Sequence, residues 1–415
     1  MTEKKKIMVI SDHPMSPSGV GTQTKYFIEA LLRTERYKFV CLGGAIKHQD
    51  MRPMKTEEFG DDMIIFPVNG YGDANIVREM LWNERPDAVW IMTDPRFWGW
   101  LWEMEEEIRS HCPLIYYHVW DNYPYPTYNK KFYDSNDAIA AISKVTADIV
   151  STVTPELKQK YIPHAVPPIF QPISDDVRKK FREDNFDDEK FVVFWNNRNA
   201  RRKQSGSLIY WFKSFLDKVG HDKATLIMHT DTKDPHGQDL DTIVTSLGLD
   251  AGQVQFSRSK LPSEHLAMLY GSVDVTVNIS DAEGFGLGTL ESLSCGTPII
   301  VNMTGGLQEQ VTDGYYWFGI GIEPSSKAVI GSQEIPFIRE DRICEEHFVN
   351  ALQSLYEKTH EERRELGKRG REHVMKNYNF DMFQRNWIEF MDEIMEENGS
   401  WDTRKNYKSW EQIQL

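Results

Sequence analysis

Short apolar runs alternate with amphipathic, helix-length segments along most of the 415 residues. In the first part of the chain, predicted strands lie at residues 7–11, 39–42, 63–66, 88–92, 113–117 and 137–142. The helical segments predicted between them are residues 21–33, 74–84 and 97–110. This alternation indicates a doubly wound parallel sheet with helices on both faces.

A proline-rich break at residues 163–172 and a charged stretch at 175–190 interrupt the pattern. The alternation then restarts, with predicted strands at residues 191–195, 224–229, 253–256, 273–279 and 299–301. We therefore predict an α/β fold of two Rossmann-like domains facing a cleft. The predicted domains are residues 1–168 and residues 169–380. We expect the amphipathic helix at residues 381–396, within a last segment 381–415, to pack back on the first domain, whereas residues 319–342 are irregular.

Charge and cysteine content narrow the possible partners and the compartment. The net charge of -15 disfavours general binding to nucleic acid or to an anionic membrane surface. The four cysteines are scattered without metal-ligand spacing, so we expect them to be reduced and to bind no metal. We expect no other cofactor. No apolar run reaches the length of a membrane span, and the first strand follows Met1–Lys6 too closely for a signal peptide. These features predict a cytoplasmic protein.

Residues 283–291 join a loop, three glycines and a helix start between two carboxylates, Glu283 and Glu291. The predicted strand 273–279 precedes Glu283, so this residue is expected at the carboxyl edge of a sheet, where α/β proteins bind ligands. We expect the helix to run from Thr289 to Cys295, which places Glu291 in its first turn. The glycines allow backbone N–H groups to approach an anion closely.

Carboxylates beside a phosphate-sized loop repel a phosphate, but they accept hydrogen bonds from sugar hydroxyls. A sugar nucleotide carries hydroxyls on both sides of a diphosphate and would explain both features. The alternative interpretation is a solvated acid pair that stabilises a helix dipole.

Arg198 and Lys203 follow the predicted strand 191–195 and belong to a basic patch on an acidic protein. Positive charge at a strand end suits a diphosphate leaving group, because negative charge accumulates there as the glycosidic bond breaks. A solvated basic turn is the alternative.

The predicted first domain has its own candidate residues. Gly19, Val20 and Gly21 stand between a strand and a helix, either as an anion or acceptor loop or as plain turn residues. His118 ends a strand and either hydrogen-bonds a sugar or is structural. Aromatic residues surround it, and they form either a stacking platform or part of the core. The candidate acceptor residues in this region are Trp120, Asp121 and Tyr123.

These motifs resemble the retaining glycosyltransferases of family four, which have the GT-B architecture. The resemblance spans most of the chain and is strongest at residues 253–314. There the E-x7-E, Cys-Gly-Thr-Pro, Gly-Gly and Asp-Gly motifs appear in family order, and Arg198-x4-Lys203 also matches. Gln204 and Ala165 stand where the family usually has glycine.

The resemblance implies a role for each matching residue. Arg198 and Lys203 would hold the diphosphate, Glu291 the ribose, Glu283 the donor sugar, and His118 the transferred sugar. The expected catalytic residues are therefore Glu283, His118, Arg198 and Lys203. The other implied donor contacts are Gly19, Val20, Gly21, Phe285, Gly286, Leu287, Gly288, Thr289 and Leu290.

The resemblance also implies a reaction. A hexose-type sugar would move from a nucleotide-diphosphate sugar, with UDP favoured over GDP, to a hydroxyl acceptor such as a glycan, a lipid-linked acceptor or a small molecule. The anomeric configuration would be retained by a metal-independent front-face substitution. Two other functions remain open: a glycosyltransferase that modifies nucleobases in phage DNA, and a non-catalytic subunit that binds sugar nucleotides. Contact with a membrane surface also remains open.

Overall fold

The computed structural model describes residues 3–186 and 189–409; parts of the predicted charged stretch (187–188) and of the termini (1–2 and 410–415) lie outside the described residues. Contacts within the chain divide it into two compact units. Unit 1 comprises Met1–His164 with Asp381–Leu415, and unit 2 comprises Ala165–Phe380, as far as each is described. The predicted division, after residue 168, lies four residues beyond this one.

Unit 1 contains an eight-stranded sheet. Its strands are β1 (Lys5–Asp12), β2 (Tyr37–Gly44), β3 (Met54–Lys55), β4 (Met63–Pro67), β5 (Ala88–Met92), β6 (Leu114–His118), β7 (Ala138–Ala141) and β8 (Lys158–Tyr161). The strand order is β3-β4-β2-β1-β5-β6-β7-β8, and only β3 runs antiparallel to its neighbour. The central strands are fully buried because helices cover them on both faces, as the alternating sequence predicts.

The helices of unit 1 up to residue 164 are α1 (Gly19–Leu32), α2 (Ala74–Glu84), α3 (Gly99–Trp102), α4 (Glu105–Arg109), α5 (Lys130–Asp134) and α6 (Lys144–Val153). The prediction of one helix at residues 97–110 is wrong, because this stretch forms a 3-10 turn followed by the two short helices α3 and α4. Trp98 and Trp102 are buried in this stretch, so tertiary packing rather than helical periodicity determines its path.

Unit 2 contains a six-stranded parallel sheet of order β11-β10-β9-β12-β13-β14. Its strands are β9 (Phe191–Asn196), β10 (Ala224–His229), β11 (Val254–Ser257), β12 (Val275–Asn278), β13 (Ile299–Asn302) and β14 (Gly319–Ile322), followed by the antiparallel hairpin β15 (Ser326–Ile330) and β16 (Ile338–Arg342). Its helices are α7 (Asp175–Asn185), α8 (Ser205–Val219), α9 (Leu240–Ser246), α10 (Ser263–Ser272), α11 (Leu287–Ser294), α12 (Leu307–Val311), α13 (Glu345–Tyr356) and α14 (His360–Asn377). The segment 319–342 is therefore ordered into a strand and a hairpin, and the expectation of irregular structure is wrong.

Helix α15 (Phe380–Asn398) returns the chain to unit 1. Its Trp387 is fully buried, with ring centroids 4.7 Å from Phe27, 4.9 Å from Tyr117 and 5.9 Å from Trp90. These aromatic contacts join α15 to the central strands and to α1, so the helix is part of the core of unit 1.

We predict that Trp387→Ala lowers the free energy of unfolding of unit 1 by about 3–5 kcal/mol, since the truncation leaves a cavity among three aromatic rings. Chemical denaturation followed by near-ultraviolet circular dichroism measures this change. Arg385→Ala, at an exposed position of the same helix, is the matched control and should change stability by less than about 0.5 kcal/mol. Equal effects of the two substitutions would contradict the assigned packing.

Candidate functional site

Two neighbouring strands of unit 2, β9 and β12, end at the same edge of the sheet, and the loops that follow them carry the candidate donor residues. The chain leaves β9 into a 3-10 turn, Arg201–Lys203, and it leaves β12 into the loop that contains Glu283. Because parallel strands present their carboxyl ends together, Lys203 and Glu283 meet although 80 residues separate them in the sequence.

Lys203 and Glu283 form a buried ion pair. The Nζ atom of Lys203 donates to Oε2 of Glu283, and the two residues are 7% and 8% exposed. Asn278 Nδ2 lies 3.3 Å from the same oxygen, and Ser280 Oγ lies 3.5 Å from it. A buried charge needs such partners, because the loss of water around an unpaired carboxylate costs several kcal/mol.

The neighbouring cations keep Glu283 ionised. Burial alone raises the pKa of this carboxyl, but Lys203 and Arg202, with hydrogen bonds from Lys203 and Asn278, outweigh burial and lower the pKa to about 2. Glu283 is therefore a carboxylate at neutral pH and has no proton to donate. It accepts hydrogen bonds, as sugar hydroxyls require.

Helix α11 begins beside Glu283. Its N-cap is Gly286, whose φ of 90° is in the left-handed region, and a glycine cap leaves no side chain to occupy the first N–H groups of the helix. The helix therefore starts at Leu287, two residues earlier than the sequence predicts. The prediction that Glu291 lies in the first turn is wrong, since Glu291 is the fifth residue of α11 and lies in the second turn.

A buried glutamine holds this loop in place. Nε2 of Gln310 donates to the carbonyl oxygens of Phe285 at 2.6 Å and Gly286 at 3.1 Å, while its Oε1 accepts from Thr289 Oγ1 at 2.7 Å. Gln310 is not among the residues that the sequence motifs predict for the site. Gln310 lies in α12, the short helix that begins directly after the Gly305-Gly306 motif, and this proximity is the sequence feature that could have indicated it.

Two glycines allow a second loop to touch the first. A Cβ atom on Gly305 would lie 1.9 Å from the carbonyl oxygen of Glu283, and one on Gly306 would lie 2.7 Å from that of Gly284. Gly305 also has a φ of 48°. The N–H of Gly306 donates to the carbonyl oxygen of Glu283 at 3.0 Å. The position of the Glu283 backbone thus depends on this glycine pair.

Glu291 is partly exposed and has a different environment from Glu283. Burial of its carboxyl raises the pKa to about 7, although a hydrogen bond with Tyr270 opposes the shift. The Tyr270 hydroxyl also accepts from Asn196 Nδ2 at 2.8 Å, and Asn196 ends β9. Tyr270 and Asn196 thus connect Glu291 to the carboxyl end of β9, the strand that precedes Lys203.

Arg198 does not contact Glu283 or Lys203 in the structure. Its guanidinium forms two hydrogen bonds with Asp234, at 2.6 and 3.1 Å, and its Nη2 lies 2.7 Å from His236 Nδ1. Arg202, which the sequence analysis did not select, donates to the carbonyl oxygen of Ala282 and is the second cation that lowers the pKa of Glu283. The cation nearest the acid loop after Lys203 is thus Arg202.

In unit 1, His118 is fully buried at the end of β6. Its Nε2 lies 2.8 Å from the Tyr133 hydroxyl, and burial lowers the pKa of the imidazole to about 3, so the ring is neutral. Its Nδ1 has no hydrogen-bond partner among the described residues. This atom retains the capacity for one hydrogen bond.

Gly19, Val20 and Gly21 form the first turn of α1 rather than a loop before it. Ser18 caps this helix by accepting from the N–H of Gly21 at 2.9 Å, and Ser18 Oγ donates to Asp12. A Cβ atom on Gly21 would lie 2.1 Å from Ser16 Oγ, so close packing alone requires glycine at this position.

The three acceptor candidates differ in exposure. Trp120 is buried and donates through Nε1 to the carbonyl oxygen of Asn122 at 2.8 Å, whereas Asp121 and Tyr123 are partly exposed. The hydroxyl of Tyr123 donates to Asp148 at 2.6 Å. Of the surrounding aromatic residues, Trp98 and Trp102 are core, while Phe97 and Tyr125 are exposed.

Residues 3–186 and 189–409 contain neither a cluster of metal-binding side chains nor a helix that could span a membrane. No group of three or more His, Cys, Asp or Glu side chains has a geometry suited to a metal ion. None of the described helices combines the length and the apolar character needed to cross a bilayer.

The two α/β units define a fold class, the GT-B architecture. Sucrose-phosphate synthase (tll1590) from Thermosynechococcus elongatus superposes with a TM-score of 0.75 at 16% identity, over 95% of this chain and 100% of that chain. Anabaena Alr3699/HepE, solved in complex with UDP and glucose, superposes with a TM-score of 0.69 at 16% identity, over 94% of this chain and 100% of that chain. At this identity the likeness shows the fold, which agrees with the predicted α/β architecture of two Rossmann-like domains.

Residues 176–373 match the family model for glycosyl transferases group 1. For this part of the chain, the match confirms the resemblance seen in the sequence. Mannosylfructose-phosphate synthase from Agrobacterium fabrum is 28% identical over 220 residues, and D-inositol 3-phosphate glycosyltransferase from Thermomonospora curvata is 43% identical over 75 residues. These alignments cover 51% and 18% of this chain, and 47% and 17% of the two relatives. The matched stretch thus spans less than half the length of either relative.

We predict that Gly305→Ala lowers the free energy of unfolding of unit 2 by about 2–4 kcal/mol, because the new Cβ both strains the backbone and collides with the carbonyl oxygen of Glu283. Gly314→Ala is the matched control. Gly314 also has a positive φ, of 91°, but no atom lies within 4 Å of its added Cβ, so only the backbone strain of about 1 kcal/mol applies. Urea denaturation compares the two, and equal losses would show that the close approach is not real.

We predict that Glu291→Gln stabilises the protein increasingly between pH 4.5 and pH 7. In this range the unfolded chain ionises Glu291 at its ordinary pKa of 4.5, whereas the folded protein keeps it protonated up to about 7, so the native residue destabilises the fold as pH rises. Thermal unfolding of both proteins at pH 4.5, 6 and 7.5 tests this. Their melting temperatures should be similar at pH 4.5 and differ most at pH 7.5, and a constant difference would exclude the raised pKa.

Proposed function

We propose that this protein is a retaining glycosyltransferase that moves a hexose-type sugar from a nucleotide-diphosphate sugar to a hydroxyl group of an acceptor. The observation that carries this proposal is the buried Lys203–Glu283 pair at the carboxyl edge of the sheet, beside the first turn of α11. The match of residues 176–373 to the group 1 family supports the same reaction class.

The donor site combines positive charge with one fixed negative charge. Lys203, Arg202 and the N–H groups of the first turn of α11 supply the positive charge that stabilises a departing nucleoside diphosphate. Glu283 would accept hydrogen bonds from hydroxyls of the donor sugar, and Glu291 would accept from the ribose. In this arrangement Arg198 would exchange Asp234 for a phosphate oxygen when the donor binds.

The state of Glu283 supports a front-face mechanism. A carboxylate with a pKa of about 2, held by a lysine, is neither an acid that protonates the leaving group nor a base strong enough to take a proton from a hydroxyl. In the proposed reaction, a phosphate oxygen of the departing diphosphate accepts the proton of the acceptor hydroxyl. The new glycosidic bond forms on the face from which the diphosphate leaves, so the anomeric configuration is retained.

We propose UDP as the donor nucleotide. This choice is supported by Alr3699/HepE, a protein of the same fold that is described in complex with UDP-glucose. His118 would contact the transferred sugar, and Trp120, Asp121 and Tyr123 would contact a glycan, lipid-linked or small-molecule acceptor. The cations and helix terminus named above would stabilise the diphosphate without a metal. A cytoplasmic location is consistent with cysteines that are unpaired.

We predict that Lys203→Ala and Glu283→Ala each reduce transfer at least about 100-fold, because each removes an interaction with the donor and one half of the buried ion pair. Release of UDP from a panel of UDP-sugars, with and without acceptors, measures transfer and hydrolysis. Lys213→Ala and Asp217→Ala are matched controls, since these residues form an exposed ion pair on α8 of the same unit and should leave turnover unchanged.

Three further observations would decide the details of the proposal. Proton NMR of the product should show the anomeric configuration of the donor, and an inverted product would exclude the front-face mechanism. Activity should persist in excess EDTA. Near-normal turnover of the Lys203 or Glu283 variant would remove the observation on which the proposed function rests.

A further inference from the structure

The hairpin β15–β16 follows the last strand of the unit 2 sheet, and its second strand reaches the donor site. Two adjacent residues of β16, Glu340 and Asp341, contact the segments that carry Lys203, Glu283 and the Gly305-Gly306 motif. We propose that β16 is a positioning element of the donor site, which holds the Lys203 turn and the Glu283 loop at the separation that diphosphate binding requires. This inference rests on the proposed function and names a further determinant of the same site.

The first contact holds the cation turn. Glu340 is buried, at 3% exposure, and accepts two hydrogen bonds from the Arg201 guanidinium, at 2.5 and 2.9 Å. Arg201 begins the 3-10 turn that ends at Lys203, and its carbonyl oxygen accepts from the N–H of Gln204 at 3.2 Å. Two parallel hydrogen bonds fix the plane of the guanidinium, so Glu340 fixes the start of the turn that presents Lys203.

The second contact holds the acid loop. The N–H of Asp341 donates to the carbonyl oxygen of Asp281 at 2.9 Å. The N–H of Asp281 in turn donates to the carbonyl oxygen of Arg202 at 2.8 Å. Nε2 of Gln204 donates to Asp281 Oδ2 at 2.6 Å. The side chain of Gln204 therefore joins the cation turn to the acid loop.

The third contact holds the glycine motif. Asp341 Oδ2 accepts from Thr304 Oγ1 at 2.9 Å, and Thr304 immediately precedes Gly305. The carbonyl oxygen of Asp341 accepts from Asn302 Nδ2 at 2.8 Å, and the same amide group donates to the carbonyl oxygen of Ser280 at 2.8 Å. One strand of the hairpin is therefore connected to all three loops around the Lys203–Glu283 pair.

The exposure of the ion pair indicates a positional rather than a stabilising role. The Glu340 side chain is 4% exposed, whereas that of Arg201 is 57% exposed, so the guanidinium retains much of its water when the pair forms. Asp274 provides a contrast at the opposite end of β12. Its side chain is also 4% exposed, but it binds Arg182, which is 3% exposed, at 3.1 Å and the N–H of Val192 at 2.9 Å.

The test compares Glu340→Gln with Asp274→Asn, because each replaces a buried carboxylate of unit 2 by its neutral amide. Binding of UDP, of GDP and of uridine is titrated by calorimetry and by ligand-observed NMR, and thermal unfolding is measured in parallel. For Glu340→Gln we expect about tenfold weaker binding of UDP, unchanged binding of uridine, and a melting temperature close to that of the unaltered protein. For Asp274→Asn we expect a lower melting temperature and unchanged affinity for both ligands.

Arg201→Gln and the double variant complete a mutant cycle. If Glu340 acts through Arg201, the double variant binds UDP no more weakly than the weaker single variant. Equal UDP affinity of Glu340→Gln and the unaltered protein would overturn the positioning role while the proposed function stands. A parallel loss of UDP and uridine binding with a lower melting temperature would also overturn it, since that pattern indicates a general structural defect. If the unaltered protein binds neither UDP nor GDP, the proposed function fails and this inference fails with it.

Discussion

The buried ion pair between Lys203 and Glu283 is the constraint on which the candidate site of unit 2 depends. Each charge has lost most of its water, and each offsets part of the cost of burying the other. The pair can form only where two parallel strands end at the same edge, so the order β9-β12 in the sheet is a precondition for it. The polar side chains of Asn278 and Ser280 then complete the environment of the carboxylate.

The loops around this pair are held by close contacts. Gly305 and Gly306 approach the backbone of residues 283–285, Gln310 binds the carbonyl oxygens before α11, and β16 is connected to the loops from outside. Such a site has its charges oriented before a ligand arrives, and preorganised charge is the main means by which enzymes stabilise a departing anion. The fixed ionisation of Glu283 also limits the chemistry, because a paired carboxylate binds hydroxyls and does not shuttle protons.

Much of this site was predictable because its residues follow strand ends. Glu283 and Lys203 were identified from apolar runs that end at a polar loop, and the structure places them in contact. The start of α11 was misplaced by two residues, because the left-handed backbone of Gly286 allows the helix to begin earlier than residue preferences indicate. Arg202 and Gln310 were missed. In a run of four cations nothing local distinguishes Arg202 from its neighbours, and a lone glutamine has no periodic signal.

The sequence by itself determined the two α/β units, the edge of the sheet where Lys203 and Glu283 lie, and the family that residues 176–373 match, because strand and helix periods and glycine motifs are local properties. Only the tertiary structure decided which cation pairs with which acid. Lys203 reaches Glu283, Arg198 binds Asp234, and Arg201 binds Glu340, 139 residues away in the sequence. The physical reason is that ion pairing depends on burial and distance in space, and spacing along the chain specifies neither for residues that distant loops bring together.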